Sequence, residues 1–285
     1  SGKRSIFYDN IVMDNYSVNI YICNESDAIV TRNLIYSHDP DVRDLYNNGD
    51  QNPHDSKSFR WLRPEGVMTA DEYHPVGFKN ALIVNNIVIN CRRGITHYGM
   101  KDGSGLKNVL IAHNTIILPS NESSEKYIGI KIPYNNGNNY KVEVSDNIIA
   151  SVNANSLLLF VDAGLANKND YLNSLTFRNN IWYNSRNPKV FNIGPIEASL
   201  YARTLKEWGE IYKKEKNEFN DQFVDPQLVY PQELSAQAGL LSNNTPAIDA
   251  GIPVEGLTTD YNNNIRSTVS PTIGALEFIQ KSEDR

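Results

Sequence analysis

An asparagine followed by an aliphatic residue or threonine returns along this chain inside short apolar runs, and that recurrence constrains the fold more than any other feature. Six segments share it: Phe7 to Asn15, Ile29 to Ser37, Leu82 to Asn90, Val109 to Leu118, Val142 to Ser151 and Leu175 to Asn184. Their asparagines are Asn10, Asn33, Asn86, Asn114, Asn147 and Asn180. A second register runs in phase with the first. Gly66-Val67, Gly94-Ile95 and Gly129-Ile130 precede a ladder asparagine by 20, 20 and 18 residues, and the run from Pro75 to Asn86 aligns without a gap on that from Gly103 to Asn114. Two registers in phase are what a coiled solenoid needs, with each strand pairing in parallel about 4.8 Å above its predecessor. Asparagine suits the corner between strands, because it tolerates the left-handed conformation and its amide can bond the amides above and below. The expected fold is all-β, a right-handed parallel β-helix.

Composition agrees. The 16 tyrosines, nine phenylalanines and frequent asparagines favour strands and turns over helices. The formal charge is −6, with no long Lys/Arg block, which disfavours nucleic acid and anionic membranes as partners. No apolar run reaches transmembrane length. Cys23 and Cys91 fit no metal-ligand spacing and read as buried thiols. Ser1 and Gly2 lead almost directly into a strand-like run, so the chain reads as the C-terminal part of a longer, processed solenoid.

The coils occupy residues 1–194 in this reading, and 195–285 form a helix and an irregular cap. From ladder asparagine to the next Gly-aliphatic pair is 33 residues after Asn33, but 8 after Asn86 and 15 after Asn114. The excess, Ser37 to Trp61, reads as a loop leaving one corner and walling a groove over the Gly94 and Gly129 strands. Thr204 to Lys216 reads as a helix with Thr204 and Glu207 as a capping box and Leu205, Trp208 and Ile211 or Tyr212 on one face. The Pro- and Asn-rich tail from Phe223 to Phe278 is expected to cover the solenoid's open end.

That tail also carries a likeness. Thr204 to Trp208 (TLKEW), Phe223 to Val229 (FVDPQLV), Thr245 to Gly251 (TPAIDAG), Thr258 to Arg266 (TTDYNNNIR) and Pro271 to Phe278 (PTIGALEF) resemble the C-terminal signature of secreted bacterial and archaeal β-helix repeat proteins. Leu276 stands where an aromatic is usual in those relatives. The resemblance implies a pectate-lyase-like solenoid, a secreted or cell-surface setting and a polysaccharide partner. It leaves the reaction open, because the same signature accompanies polysaccharide lyases, glycoside hydrolases and proteins of unknown activity.

Candidate site residues follow from the columns. Met68, Thr96 and Lys131 share one position and Val67, Ile95 and Ile130 the one before, so Thr96, Tyr98 and Lys131 point outward if the aliphatics point inward. His97 then points inward with Thr69 and Ile132, as a core histidine more than a catalyst. Arg92, Arg93, Lys101 and Lys107 against Asp102 give a local charge of 4 − 1 = +3, a patch able to hold an acidic polysaccharide. Four histidines, His38, His54, His74 and His97, fall in or just after the insert.

Elimination from a uronic acid needs a cation on the sugar carboxylate and a base for the neighbouring C–H proton, roles that fit Arg93, Lys101, Lys131 and Tyr98. Calcium held by Asp39, Asp41 and Asp44 would share that neutralisation. Hydrolysis instead needs two carboxyl groups, for which Asp39, Asp41, Glu65, Glu72 and Asp162 are candidates. The catalytic set is therefore Lys131, Arg93, Tyr98, His97 and Glu65, with Arg92, Lys101, Trp61 and Tyr134 contacting substrate. A non-catalytic carbohydrate-binding module is the third possibility.

Overall fold

A computed structural model describes residues 3–39, 63–72, 78–99, 104–121, 126–132, 139–161, 173–193, 202–213 and 220–280. The chain is a parallel β-helix built from three sheets. Sheet A contains β1 (Ile6–Tyr8), β4 (Ile29–Thr31), β7 (Phe78–Val84), β10 (Leu106–Ala112), β13 (Tyr140–Ser145) and β16 (Leu175–Arg178). Sheet B contains β2 (Ile11–Met13), β5 (Leu34–Tyr36), β8 (Ile87–Ile89), β11 (Thr115–Ile117), β14 (Ile148–Ser151) and β17 (Ile181–Asn184). Sheet C contains β3 (Val18–Cys23), β6 (Glu65–Asp71), β9 (Arg93–Gly99), β12 (Ile128–Ile132), β15 (Leu157–Val161), β18 (Phe191–Ile193) and β19 (Ala202–Arg203). Each coil visits A, B and C in turn. All sheet pairings are parallel except β18 with β19.

Both sequence registers are structural. The asparagines lie at the A-to-B corner, and each backbone N–H and side-chain amide donates to the next asparagine's Oδ1: Asn10 to Asn33, Asn33 to Asn86, Asn86 to Asn114, Asn114 to Asn147 and Asn147 to Asn180. All five side-chain bonds are 2.9 Å. The left-handed residue is not the ladder asparagine, however, but the one before it: Asp9, Arg32, Asn85, His113, Asp146 and Asn179 all have φ between 51° and 57°. The reason is geometric. One residue must turn the chain between two strands, and the next must face inward to place its amide in the stack.

The second register is the inner wall of sheet C, where Val67, Ile95, Ile130 and Leu159 stack beneath Phe191. The preceding glycines let the coils close. A Cβ at Gly94 would lie 2.5 Å from Cγ2 of Ile116 and 2.6 Å from the Gly129 carbonyl oxygen. The tube is filled by Ile, Val, Leu and Phe side chains from all three sheets, and full burial of each such side chain contributes about 1.5–3 kcal/mol.

The C-terminal end is closed by α1 (Leu205–Lys213). Thr204 and Glu207 form the expected capping box, with Glu207 N–H donating to Thr204 Oγ1 and Thr204 N–H to the Glu207 carboxylate. Trp208 and Tyr212 pack edge-on against Phe177 of the last full coil, and the Tyr212 hydroxyl donates to the Leu175 carbonyl while accepting from Phe177 N–H. The tail does not end there. Residues 220–224 add a partial rung to sheet B, where Gln222 N–H bonds the Asn180 carbonyl and Trp182 N–H bonds that of Gln222. From there the chain returns along the outer face of sheet B, rather than sitting on the open end. Leu276, Ala275 and Ala238 cover Leu34, Ile87, Ile89 and Ile117, and Ala247 and Ile273 cover Ile148 and Ile181. Sheet B needs that cover, because its strands are apolar on both faces.

Candidate functional site

The outer face of sheet C carries Arg93, Thr96, Tyr98 and Lys131. Register places Thr96 beside Met68 and Lys131, and Lys131 beside Phe160. Arg93 lies beside Ile128 in the next coil. Tyr98 lies two residues beyond Thr96 on β9, on the same side and exposed. Lys131 is half-buried, with Nζ 5.8 Å from the centre of the Phe160 ring. Thr96 and Phe160 are outward but buried, and Phe160 clusters with Ile128 and Leu157. The face therefore changes character along the axis, from charged near β6 and β9 to apolar near β12 and β15.

Glu65 organises the charged end. Its carboxylate is buried, accepts from Arg92 Nη2 at 2.8 Å and forms a close ion pair with Arg93. Arg92 and Arg93 thus share one carboxylate at this end of the face. Glu65 is the counter-ion that holds the two arginines together. Lys107 does not join the patch, since it lies on β10 in sheet A.

His97 behaves as its register predicts. It is buried beneath the face, with Nδ1 2.9 Å from Thr69 Oγ1 and Nε2 3.6 Å from Asp71. Burial pulls its pKa down to about 3, so the ring is neutral near pH 7. Asp71 is raised by the same desolvation and accepts N–H bonds from Phe78 and Gly105. This pair is buried beneath the outer face.

Asp39 stands where the insert departs. It is ion-paired with the buried Arg63, at the insert's far end, which also bonds the His38 carbonyl, so the two ends of the insert are tied together. That guanidinium holds the Asp39 carboxyl below its usual range. His38 is bonded to Asp14 at 2.6 Å. Among the described residues no three His, Cys, Asp or Glu side chains gather as a metal site, and the Asp39 carboxylate is engaged by Arg63. Glu72 bonds Tyr21, whose phenol is raised by burial and by that carboxylate. Trp61, Lys101, Tyr134, Asp41, Asp44, Asp162, His54 and His74 lie outside the described residues, as does the insert beyond Asp39.

The structure adds a groove that the sequence did not mark. It lies on the outer face of sheet A, measures about 670 Å³, and is bounded by β7, β10, β13, β16 and the tail segment from Ile252 to Glu255. No protein-family model matches the chain, and no curated protein matches it in sequence.

Proposed function

We propose that this is an extracellular carbohydrate-active β-helix protein that holds an acidic polysaccharide on the outer face of sheet C and cleaves it by β-elimination. The observation that carries the reading is the outward row in which Arg93, Thr96 and Tyr98 of β9 stand beside Lys131 of β12. A uronate carboxylate meets the guanidiniums of Arg92 and Arg93, which acidifies the adjacent C–H. Lys131 in its neutral amine form accepts that proton, with Tyr98 beyond Thr96 on the same side of β9. The electron pair then forms a carbon–carbon double bond, the C–O bond to the leaving sugar breaks, and the leaving oxygen takes a proton from water. Hydrolysis is less well supported, because the described carboxylate nearest the row is neutralised by two arginines.

The test is to incubate the protein with polyuronates and neutral glycans and examine the products. Unsaturated sugar ends are expected; new reducing ends without unsaturation would replace elimination by hydrolysis. Lys131→Ala should lower turnover about 10²-fold, as loss of a proton-transfer group does. Its melting temperature should barely move, because the residue is half-buried on an outer face. Arg93→Ala is a poorer probe than the sequence suggested, since it also strips a partner from the buried Glu65. Full turnover by Lys131→Ala would remove the row from the mechanism.

A further inference from the structure

The groove on sheet A has a regular construction. Its floor is the outward row Leu82, Leu110, Glu143 and Thr176, contributed by four successive coils and set side by side by the strand register. Leu82 is 40% exposed there. Along one side runs a row of left-handed residues, Asn80, Asn108 and Lys141, with φ of 55°, 55° and 48°. Asn108 Nδ2 donates to Asn80 Oδ1 at 3.0 Å, which repeats the inner ladder in solvent. The other side is the tail from Ile252 to Glu255. Arg178 closes one end, ion-paired with Glu143. At the base, Ser145 Oγ and Asp146 Oδ2 are buried without a well-aligned hydrogen-bond partner.

We propose that this groove is a second binding site, separate from sheet C, for a neutral oligosaccharide laid along the solenoid axis. Charge, shape and chemistry converge on that ligand. Lys141 and Arg178 face Glu143, Glu255 and Asp146, 2 − 3 = −1 with every carboxyl ionised and 0 when Asp146, pushed up to about 7 by burial, is protonated, so the groove carries little net charge to select a polyanion or a polycation. The span across four coils is three steps of about 4.8 Å, roughly 14 Å, which is a length for a short chain of sugar rings rather than a single metabolite. Leu82 and Leu110 of the floor accept the C–H face of a sugar ring, while the polar floor residues and the amide, ammonium and carboxylate groups of the rim exchange hydrogen bonds with its hydroxyls. A peptide strand is disfavoured. Strands β7, β10 and β13 are each paired on both sides, so no free backbone edge remains to which a peptide could add.

The proposal stands independently of the elimination chemistry, and its test separates the two. The intact protein is titrated calorimetrically with cellohexaose, xylohexaose, mannohexaose and maltohexaose, then again in the presence of saturating polygalacturonate. At least one neutral hexasaccharide is expected to bind and to keep its affinity when polygalacturonate is present. Leu82→Arg, which crowds the floor from an exposed position, should weaken that binding at least tenfold. Glu143→Gln should weaken it several-fold, and unchanged thermal unfolding of both variants shows that the fold is retained. Three results overturn the site: no neutral hexasaccharide binds, polygalacturonate displaces the bound one, or both variants bind it as the wild type does. Failure of polygalacturonate to be cleaved would count against the sheet C reading alone.

Discussion

Each rung of the asparagine ladder is held from several directions. Asn114 donates to Asn147 and to the carbonyls of Ile83 and Ala112, while its Oδ1 accepts both the N–H and the side-chain amide of Asn86. Replacing it by leucine leaves several buried groups unpartnered, at about 1–3 kcal/mol each when no relaxation helps. Asn114→Leu should therefore lower stability by at least ~3 kcal/mol in urea denaturation, and a cost under ~1 kcal/mol would mean the ladder is not structural. The sequence showed the six asparagines because each sits at the same place within a recurring apolar run, but not the seventh rung. Asp221 continues the stack, accepting from Asn180 N–H at 2.9 Å, Asn180 Nδ2 at 3.1 Å and Trp182 Nε1 at 2.7 Å. It lies outside every repeat segment, so no periodicity pointed to it. Burial pushes its pKa up to about 6 from an ordinary 3.8. The folded state therefore holds a proton that the unfolded chain releases, and this contribution is fully present below pH 3.8 and lost as pH rises through about 6. The stability advantage of wild type over Asp221→Asn should accordingly be larger at pH 4 than at pH 7. An advantage that grows between pH 4 and pH 7 would reverse the assignment.

At the scale of the elements, strands and their order were legible where the pattern had a period. The alignment of Pro75 to Asn86 with Gly103 to Asn114 became the pairing of β7 with β10, with Phe78 opposite Leu106. The helix was legible from its cap. What escaped was the identity of the left-handed residues, because Asp, Arg, Asn and His all serve at one corner: the turn is imposed by the ladder beside it, not by the side chain that makes it. The sheet A groove escaped for a related reason. Leu82, Leu110 and Glu143 read as ordinary strand alternation until the tail supplies the opposite wall. The glycine column, by contrast, has a readable physical demand. Gly94→Ala would press a methyl group against Ile116 and the Gly129 carbonyl, whereas one coil beyond Gly129 the same column holds Leu158, fully buried. Loss of about 1–3 kcal/mol is expected from this overpacking, read as a lower midpoint in thermal unfolding. A Gly94→Ala protein as stable as wild type would show that the coils can spread there at no cost.

For the whole molecule, the tail is a clamp along the side of the solenoid, and Arg266 is where it closes. The guanidinium is buried, with Nη2 donating to Asn85 Oδ1 at 2.7 Å and to the Gly274 carbonyl, and Nη1 to Glu277 and the Thr272 carbonyl. One side chain thus joins two parts of the tail to the A-to-B corner of a central coil. Asn85 Nδ2 answers with a bond to the Thr259 carbonyl, and Asp146 at the same corner two coils on accepts from Ile252 N–H. Truncating Arg266 to alanine leaves Glu277 buried without its cation, and breaking a buried pair from one side costs about 3–5 kcal/mol. Much of that cost is the stranded charge, so neutralising it should return part of the loss. The expected result is that Arg266→Ala with Glu277→Gln is more stable than Arg266→Ala alone, a non-additivity that a double-mutant cycle in urea measures. Hydrogen exchange locates the effect: in Arg266→Ala the tail amides that bond the corner, Ile252 and Gly274, should lose protection before the inner strands of sheet C do. Uniform loss of protection across all three sheets would mean that the tail and the solenoid unfold as one unit, and that Arg266 holds the coils together rather than holding the tail to them.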